Sequence, residues 1–195
     1  MGRKAGMRPH HIRKVLFSAE EIAGRVDALV CEIGRTCEAG SLVLVGILRG
    51  SFIFFADLVR GLFYHHLHPR IDFTLLQSYG AGTESSGKVE VERDISVDVR
   101  GAEVVLVDDI LDTGRTLHFA VQRMYAKGAR SVKSCVLLDK PSRRIAPISA
   151  DFVGFTVEDV FVVGYGLDYD SYYRELPYIA ELTFTDDRSA GNEQP

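Results

Sequence analysis

An α/β fold, a central parallel β-sheet with helices on both faces, is predicted by three features of the 195-residue chain. Short apolar runs alternate with segments of helical periodicity, the pattern of repeated strand-helix-strand crossovers. One run, Val104-Val105-Leu106-Val107, is apolar without interruption and ends in Asp108-Asp109, as a strand covered on both faces does where it emerges at the carboxyl edge of a parallel sheet. A hydrophobic content of 46% over this length, with no linker or internal repeat, supplies one substantial core, so residues 1–195 are expected to form a single domain.

The elements follow in order. Ser18 and Glu21 form a capping-box pattern that opens a helix, with Ile22, Val26, Leu29, Val30 and Ile33 on one face. A strand at Leu42 to Ile47 precedes the turn Leu48-Arg49-Gly50-Ser51, and a second helix runs from about Ser51 to Leu62 with Phe55, Leu58, Val59 and Leu62 inward. A strand near Ile71 to Gln77 leads into Ser78-Tyr79-Gly80-Ala81-Gly82-Thr83-Glu84-Ser85-Ser86-Gly87, which has too little apolar surface to pack and reads as a mobile loop. After the strand at Val104, a helix begins near Thr116, with Leu117, Ala120, Val121, Met124 and Tyr125 on its inner face and Gly128 as a stop. Strands near Val132 to Leu138 and Phe152 to Val157 complete the sheet, and the apolar run Phe161 to Val163 reads by itself as a core strand. About 1–11 and 187–195 are polar ends expected to be flexible.

Charge and composition exclude several classes. A net charge of −4 leaves no electrostatic footprint for nucleic acid, and the basic start (Arg3, Lys4, Arg8, Arg13, Lys14) is short enough to be a solvated arm. Residues 1–16 lack the apolar centre of a signal peptide and no run reaches membrane-spanning length, so no membrane association and a cytoplasmic location are expected. Cys31, Cys37 and Cys135 match no zinc spacing and read as reduced, buried thiols. His65, His66 and His68 lie where a helix ends, before Pro69, and need no metal to account for them.

The chemistry is concentrated in the turn Asp112-Thr113-Gly114-Arg115-Thr116, between a strand and a helix. At a helix N-terminus the first amides lack intrahelical partners, and Gly114 lets the chain curl so that several of them, with the Thr113 and Thr116 hydroxyls, converge on one anion. The helix dipole supplies only about 0.3–1 kcal/mol, so directed donors must account for most of the affinity. A phosphate monoester fits. Three carboxylates crowded beside such a turn would repel one another without a cation or ligand.

The run from Val104 to Leu117 resembles the phosphoribosyl pyrophosphate (PRPP) signature of type I phosphoribosyltransferases. Asp112 at its variable position is similar to the 6-oxopurine branch, the hypoxanthine-guanine enzymes; adenine and orotate enzymes usually carry Ala or Thr there, and pyrimidine-operon regulators a Tyr. The resemblance covers roughly residues 12 to 182 and implies that fold, with a small hood built from the N-terminal segment and about residues 140–182. It implies purine salvage: Mg2+-dependent transfer of the phosphoribosyl group of PRPP to N9 of hypoxanthine, and of guanine, giving the nucleoside monophosphate and pyrophosphate.

Site roles follow from the same resemblance. Asp112 is the general base, and Asp112, Thr113, Gly114, Arg115 and Thr116 hold the 5′-phosphate. Asp108 and Asp109 face the ribose and, with Asp168, the magnesium. Arg49, where the family usually has Lys, and Gly50 form a pyrophosphate loop with a non-proline cis peptide, to which Arg174 adds a second cation. Ser78 and Tyr79 belong to the lid. Lys140 donates to the purine 6-oxygen, since an ammonium can only donate; Phe161 stacks on the ring, the Val162 backbone reads its edge, and Asp168 helps to bind it. Homodimers or homotetramers are implied. Three rivals stand beside this reading: a guanine- or xanthine-preferring transferase, an RNA-binding regulator on the same fold, and a PRPP synthetase or other nucleotide-phosphate binder.

Overall fold

The computed structural model describes residues 8–37, 40–78 and 89–185. Its main sheet has six strands in the order β4-β3-β2-β5-β6-β7: β2 (Leu42–Leu48), β3 (Arg70–Ser78), β4 (Val89–Arg93), β5 (Glu103–Leu111), β6 (Ser131–Asp139) and β7 (Phe152–Thr156). All neighbours are parallel except β3 and β4. Alternate residues of the central strands feed two cores. Leu44, Val105, Val107 and Leu137 face α1 (Ala19–Thr36) and α2 (Phe52–Tyr64), while Val43, Val45, Val104 and Leu106 face α3 (Arg115–Ala126). Both faces are covered, so the strands carry unbroken apolar runs.

The helices start where local chemistry allows. Ser18 and Glu21 make both halves of a capping box, and all five residues expected on the inner face of α1 are buried. In α2, Phe54 is buried together with Phe55, Leu58 and Leu62. Helix α3 begins at Arg115, with Gly114 as its cap at φ 82°. Its inner face is narrower than expected: Leu117, Ala120 and Met124 are buried, but Tyr125 is half exposed and lends its hydroxyl to the Val132 amide at 3.3 Å. Of the cysteines, Cys37 and Cys135 are buried, whereas Cys31 is only partly covered and lies 3.6 Å from His65 Nε2. Burial pushes the Cys37 and Cys135 thiols up, as inert core thiols should be.

A second, three-stranded antiparallel sheet is built from the two ends of the described chain: β1 (His10–Phe17), β9 (Ile179–Phe184) and β8 (Val162–Val163), in the order β1-β9-β8. His10 and His11, expected in a flexible end, instead pair with Phe184 and Thr183. β4, β1 and β9 were not foreseen from the sequence. Among the described residues, no helix is long and apolar enough to cross a membrane.

Candidate active site

The carboxyl ends of β2 and β5 and the loop after β8 surround a cleft of about 590 Å³. Arg49, Gly50, Asp108, Asp109, Asp112 to Thr116, Asp168 and Arg174 all line it. This is the edge where open parallel sheets bind ligands.

One wall is the end of β5 and the turn after it. Asp108 is buried and takes the Asp109 amide at 3.0 Å; Asp109 in turn takes the Ile110 amide at 2.9 Å. Burial pushes both carboxyls above the usual carboxylate range, and Asp108 further, because the charge of Asp109 lies beside it. At Gly114 a side chain would meet Ile148 Cγ2 at 2.8 Å and Arg144 Cδ at 3.0 Å, so positive φ and close packing both call for glycine. The segment after β6 buttresses the turn from outside: the Thr113 carbonyl accepts from the Ile145 and Ala146 amides, each at 2.9 Å.

The opposite wall is the loop leaving β2, in which the Leu48–Arg49 peptide is cis. Ser51, fully buried, donates to the Ile47 carbonyl at 2.5 Å and ties the loop to its strand. Gly50 is wedged between two neighbours. A Cβ built on it would fall 1.6 Å from Asp109 Oδ2, and one built on Gly166 would fall 2.1 Å from the Gly50 carbonyl oxygen. The loop after β2 therefore touches both the end of β5 and the loop after β8. Arg174 completes this side, bonded to Asp168 Oδ1 at 2.6 Å and to the Gly166 carbonyl at 2.5 Å.

Of the expected base-binding residues, Asp168 lines the cleft, whereas Lys140, Phe161 and Val162 stand beside it. Lys140 is buried and donates from Nζ to the Val160 carbonyl at 2.6 Å; burial pulls its ammonium below the ordinary lysine range. Phe161 is 41% exposed, braced edge-on by Tyr169 and Phe184, so its ring is not core. Val162 lies in β8, one of the two edge strands of the hood sheet, and its register partner is Glu181 in β9. Ser78 ends β3, whereas Tyr79 and the rest of the expected lid lie outside the described residues.

Two arginines went unforeseen. A 3-10 turn at Pro141–Arg143 follows Lys140 and sends the Arg143 Nε to Asp112 Oδ1 at 2.6 Å and its Nη1 to Asp159 at 3.2 and 3.3 Å. Arg144 bonds to Asp139 and, at 3.3 Å, to the Leu111 carbonyl. Two consecutive arginines after a proline were the available signal, but such a pair ordinarily reads as solvent-facing.

As a cation site, the arrangement offers hard oxygens in short supply. Among the described residues, no group of three or more His, Cys, Asp and Glu side chains is placed to hold a metal ion. Asp168, expected as a metal ligand, is engaged by Arg174 and by the Ser171 amide. Asp108 and Asp109 alone are adjacent carboxylates in the cleft, a donor set that fits an ion completing its shell with water and substrate oxygens.

Residues 14–170 match the model of the phosphoribosyl transferase domain. The chain belongs to the phosphoribosyltransferase family. Over 176 residues it is 43% identical to the hypoxanthine-guanine phosphoribosyltransferase of Bacillus subtilis (strain 168), covering 90% of this chain and 96% of that protein. Over 179 residues it is 41% identical to the hypoxanthine phosphoribosyltransferase of Escherichia coli (strain K12), covering 91% and 99%. Among solved structures, a hypoxanthine phosphoribosyltransferase from Staphylococcus aureus superposes with a TM-score of 0.83 at 39% identity, over 88% of this chain and 92% of that one.

Proposed function

We propose that this chain transfers the 5-phosphoribosyl group of PRPP to N9 of hypoxanthine, and of guanine, releasing pyrophosphate. The observation that carries the reading is the position of Asp112. It sits in the cleft at the mouth of the phosphate turn, and its Oδ2 accepts no hydrogen bond from the described residues, leaving one carboxylate oxygen to meet a ligand.

In this reading the turn Asp112 to Thr116 holds the 5′-phosphate. That group does not react, so its binding energy serves to orient the ribose against the incoming base. The N9–C1′ bond forms as the C1′–O bond to pyrophosphate breaks, and Asp112 takes the N7 proton of the purine. Arg49, Gly50 and Arg174 receive the leaving pyrophosphate, with cations on the side where charge accumulates. Lys140 donates to the 6-oxygen, Phe161 stacks on the ring, and the free edge of β8 at Val162 meets the base. Asp108 and Asp109 would hold Mg2+ together with substrate oxygens; when bound, the ion neutralises the anionic leaving group.

The test is PRPP-dependent monophosphate formation from hypoxanthine, guanine, xanthine and adenine, with wild type and Asp112→Asn. The 6-oxopurines should be substrates and adenine should not. Asp112→Asn should lower kcat by about 10²–10⁴-fold, the range of a positioned acid-base group, while PRPP affinity changes far less. Adenine as the preferred base, or near-normal kcat in the variant, would overturn the respective parts of the reading.

A further inference from the structure

We infer that Arg143 is a positioning residue for the transfer, setting the Asp112 carboxylate in register with Lys140 so that neighbouring atoms of one purine edge are met together. The inference rests on Asp112 being the general base.

Purine N7 and the 6-oxygen lie on the same edge of the ring, so the group accepting the N7 proton and the group donating to the oxygen must keep a fixed separation. Here they come from different loops: Asp112 follows β5 and Lys140 follows β6. Arg143 spans them. It lies three residues beyond Lys140 in the same 3-10 turn, where its amide bonds back to the Lys140 carbonyl at 3.1 Å. Its guanidinium then reaches Asp112 Oδ1 at 2.6 Å. Planar geometry lets one side chain bond two carboxylates at once, and Asp159 occupies the other arm at 3.2 and 3.3 Å.

Three further features favour a positioning role over a merely structural one. Arg143 and Asp112 are both part-exposed, at 44% and 38%, a setting in which an ion pair adds little to folding. Arg143 also lines the cleft, facing the volume that the substrates fill. It uses only one Asp112 oxygen, so the carboxylate is aimed without being consumed. The same strap anchors the phosphate turn through Ile145 and Ala146, so base recognition and phosphate grip share one rigid segment.

The test compares Arg143→Ala, Arg143→Lys and Asp159→Asn for kcat and KM with hypoxanthine and PRPP, and asks whether free guanidinium at sub-denaturing concentration restores turnover. Misplacing a reacting group by about an ångström costs up to roughly 10²-fold, so Arg143→Ala should lower kcat by about tenfold or more while KM for PRPP barely moves. Arg143→Lys should recover little, because a point charge cannot bridge both carboxylates, whereas guanidinium ion should restore part of the loss in Arg143→Ala and none in Asp112→Asn. Asp159→Asn should lower kcat in the same direction by less and add nothing on top of Arg143→Ala; it carries the test if the alanine variant does not fold. Wild-type kcat in Arg143→Ala or in Asp159→Asn, a loss carried only by KM for PRPP, or no guanidinium rescue would overturn the inference. A large loss in Asp112→Asn beside normal turnover in Arg143→Ala would overturn this inference alone; normal turnover in Asp112→Asn would overturn the general-base reading beneath it.

Discussion

Replacing Gly50 by alanine exchanges a hydrogen for a methyl group at a tightly packed point of the cleft. The new Cβ would lie 1.6 Å from Asp109 Oδ2 and 2.5 Å from its Cγ. Ordinary contact needs about 3.5 Å, so something must retreat by roughly 2 Å. The carboxylate cannot swing away freely, because its Oδ1 holds the Ile110 amide at 2.9 Å. The loop cannot rise freely either, since Gly166 packs on the Gly50 carbonyl. Gly50 does not adopt a positive φ, so the cost is steric and not conformational. Overpacking of this kind costs typically 1–3 kcal/mol. If it falls on the PRPP complex, that corresponds to about 5- to 150-fold in kcat/KM for PRPP. Steady-state kinetics at saturating hypoxanthine, with circular dichroism to verify the fold, reads it directly. A Gly50→Ala enzyme within about twofold of wild type would show that the contact between loop and carboxylate does not shape the productive site, since even 1 kcal/mol is fivefold.

Two further outcomes are expected. Asp108→Asn should stabilise the fold while depressing kcat/KM for PRPP, because the buried carboxyl holds its proton above the usual range in the folded state. The unfolded chain releases that proton near its ordinary value of about 3.9, so the stability that the protonated carboxyl contributes is lost as pH rises from that point through the raised folded-state value. A thermal midpoint for Asp108→Asn that rises over wild type at pH 7 but not at pH 3 bears this out, and a lower midpoint at pH 7 refutes it. Phe161→Ala removes a half-exposed ring whose stacking on a base is worth about 1–3 kcal/mol, so KM for hypoxanthine should rise about 5- to 150-fold. An unchanged KM would return Phe161 to a packing role.

Much of the main sheet was legible because one physical signal, burial, dominated its sequence. Strands covered on both faces leave uninterrupted apolar runs, and the capping box at Ser18 and Glu21 marked the start of α1 within a residue. The hood was not legible, because its strands are stabilised by partners far away in sequence. β1 reads His-His-Ile-Arg-Lys and β9 carries Glu181 in its middle; the buried Glu181 is met from across the pair by Arg13 at 2.8 Å and by Lys14 at 3.8 Å. Local periodicity cannot announce a contact between residues 168 positions apart. Tyr125 failed for the opposite reason, since helical periodicity placed it inward but the α3 face buried by the sheet is only one residue wide per turn there. In the cleft, residues within contiguous motifs were brought together as expected. Arg143 was overlooked because its meaning comes from Asp112, 31 positions earlier.

The charges around the cleft explain why its parts are arranged as alternating pairs. Two adjacent buried carboxyls, Asp108 and Asp109, are costly alone; among the described residues neither forms a salt bridge, although the charge of Arg174 acts on Asp109. Asp112 and Asp168, in contrast, each carry an arginine, Arg143 and Arg174. Burial disfavours the charged form of Asp108 and Asp109, and a bound cation would favour it. On the proposed reading, a proton acceptor is needed for every base that enters, whereas a metal-facing pair is needed only when PRPP arrives with its ion. The distribution of arginines thus separates a carboxylate held toward the incoming base from a pair completed by the ion that arrives with PRPP.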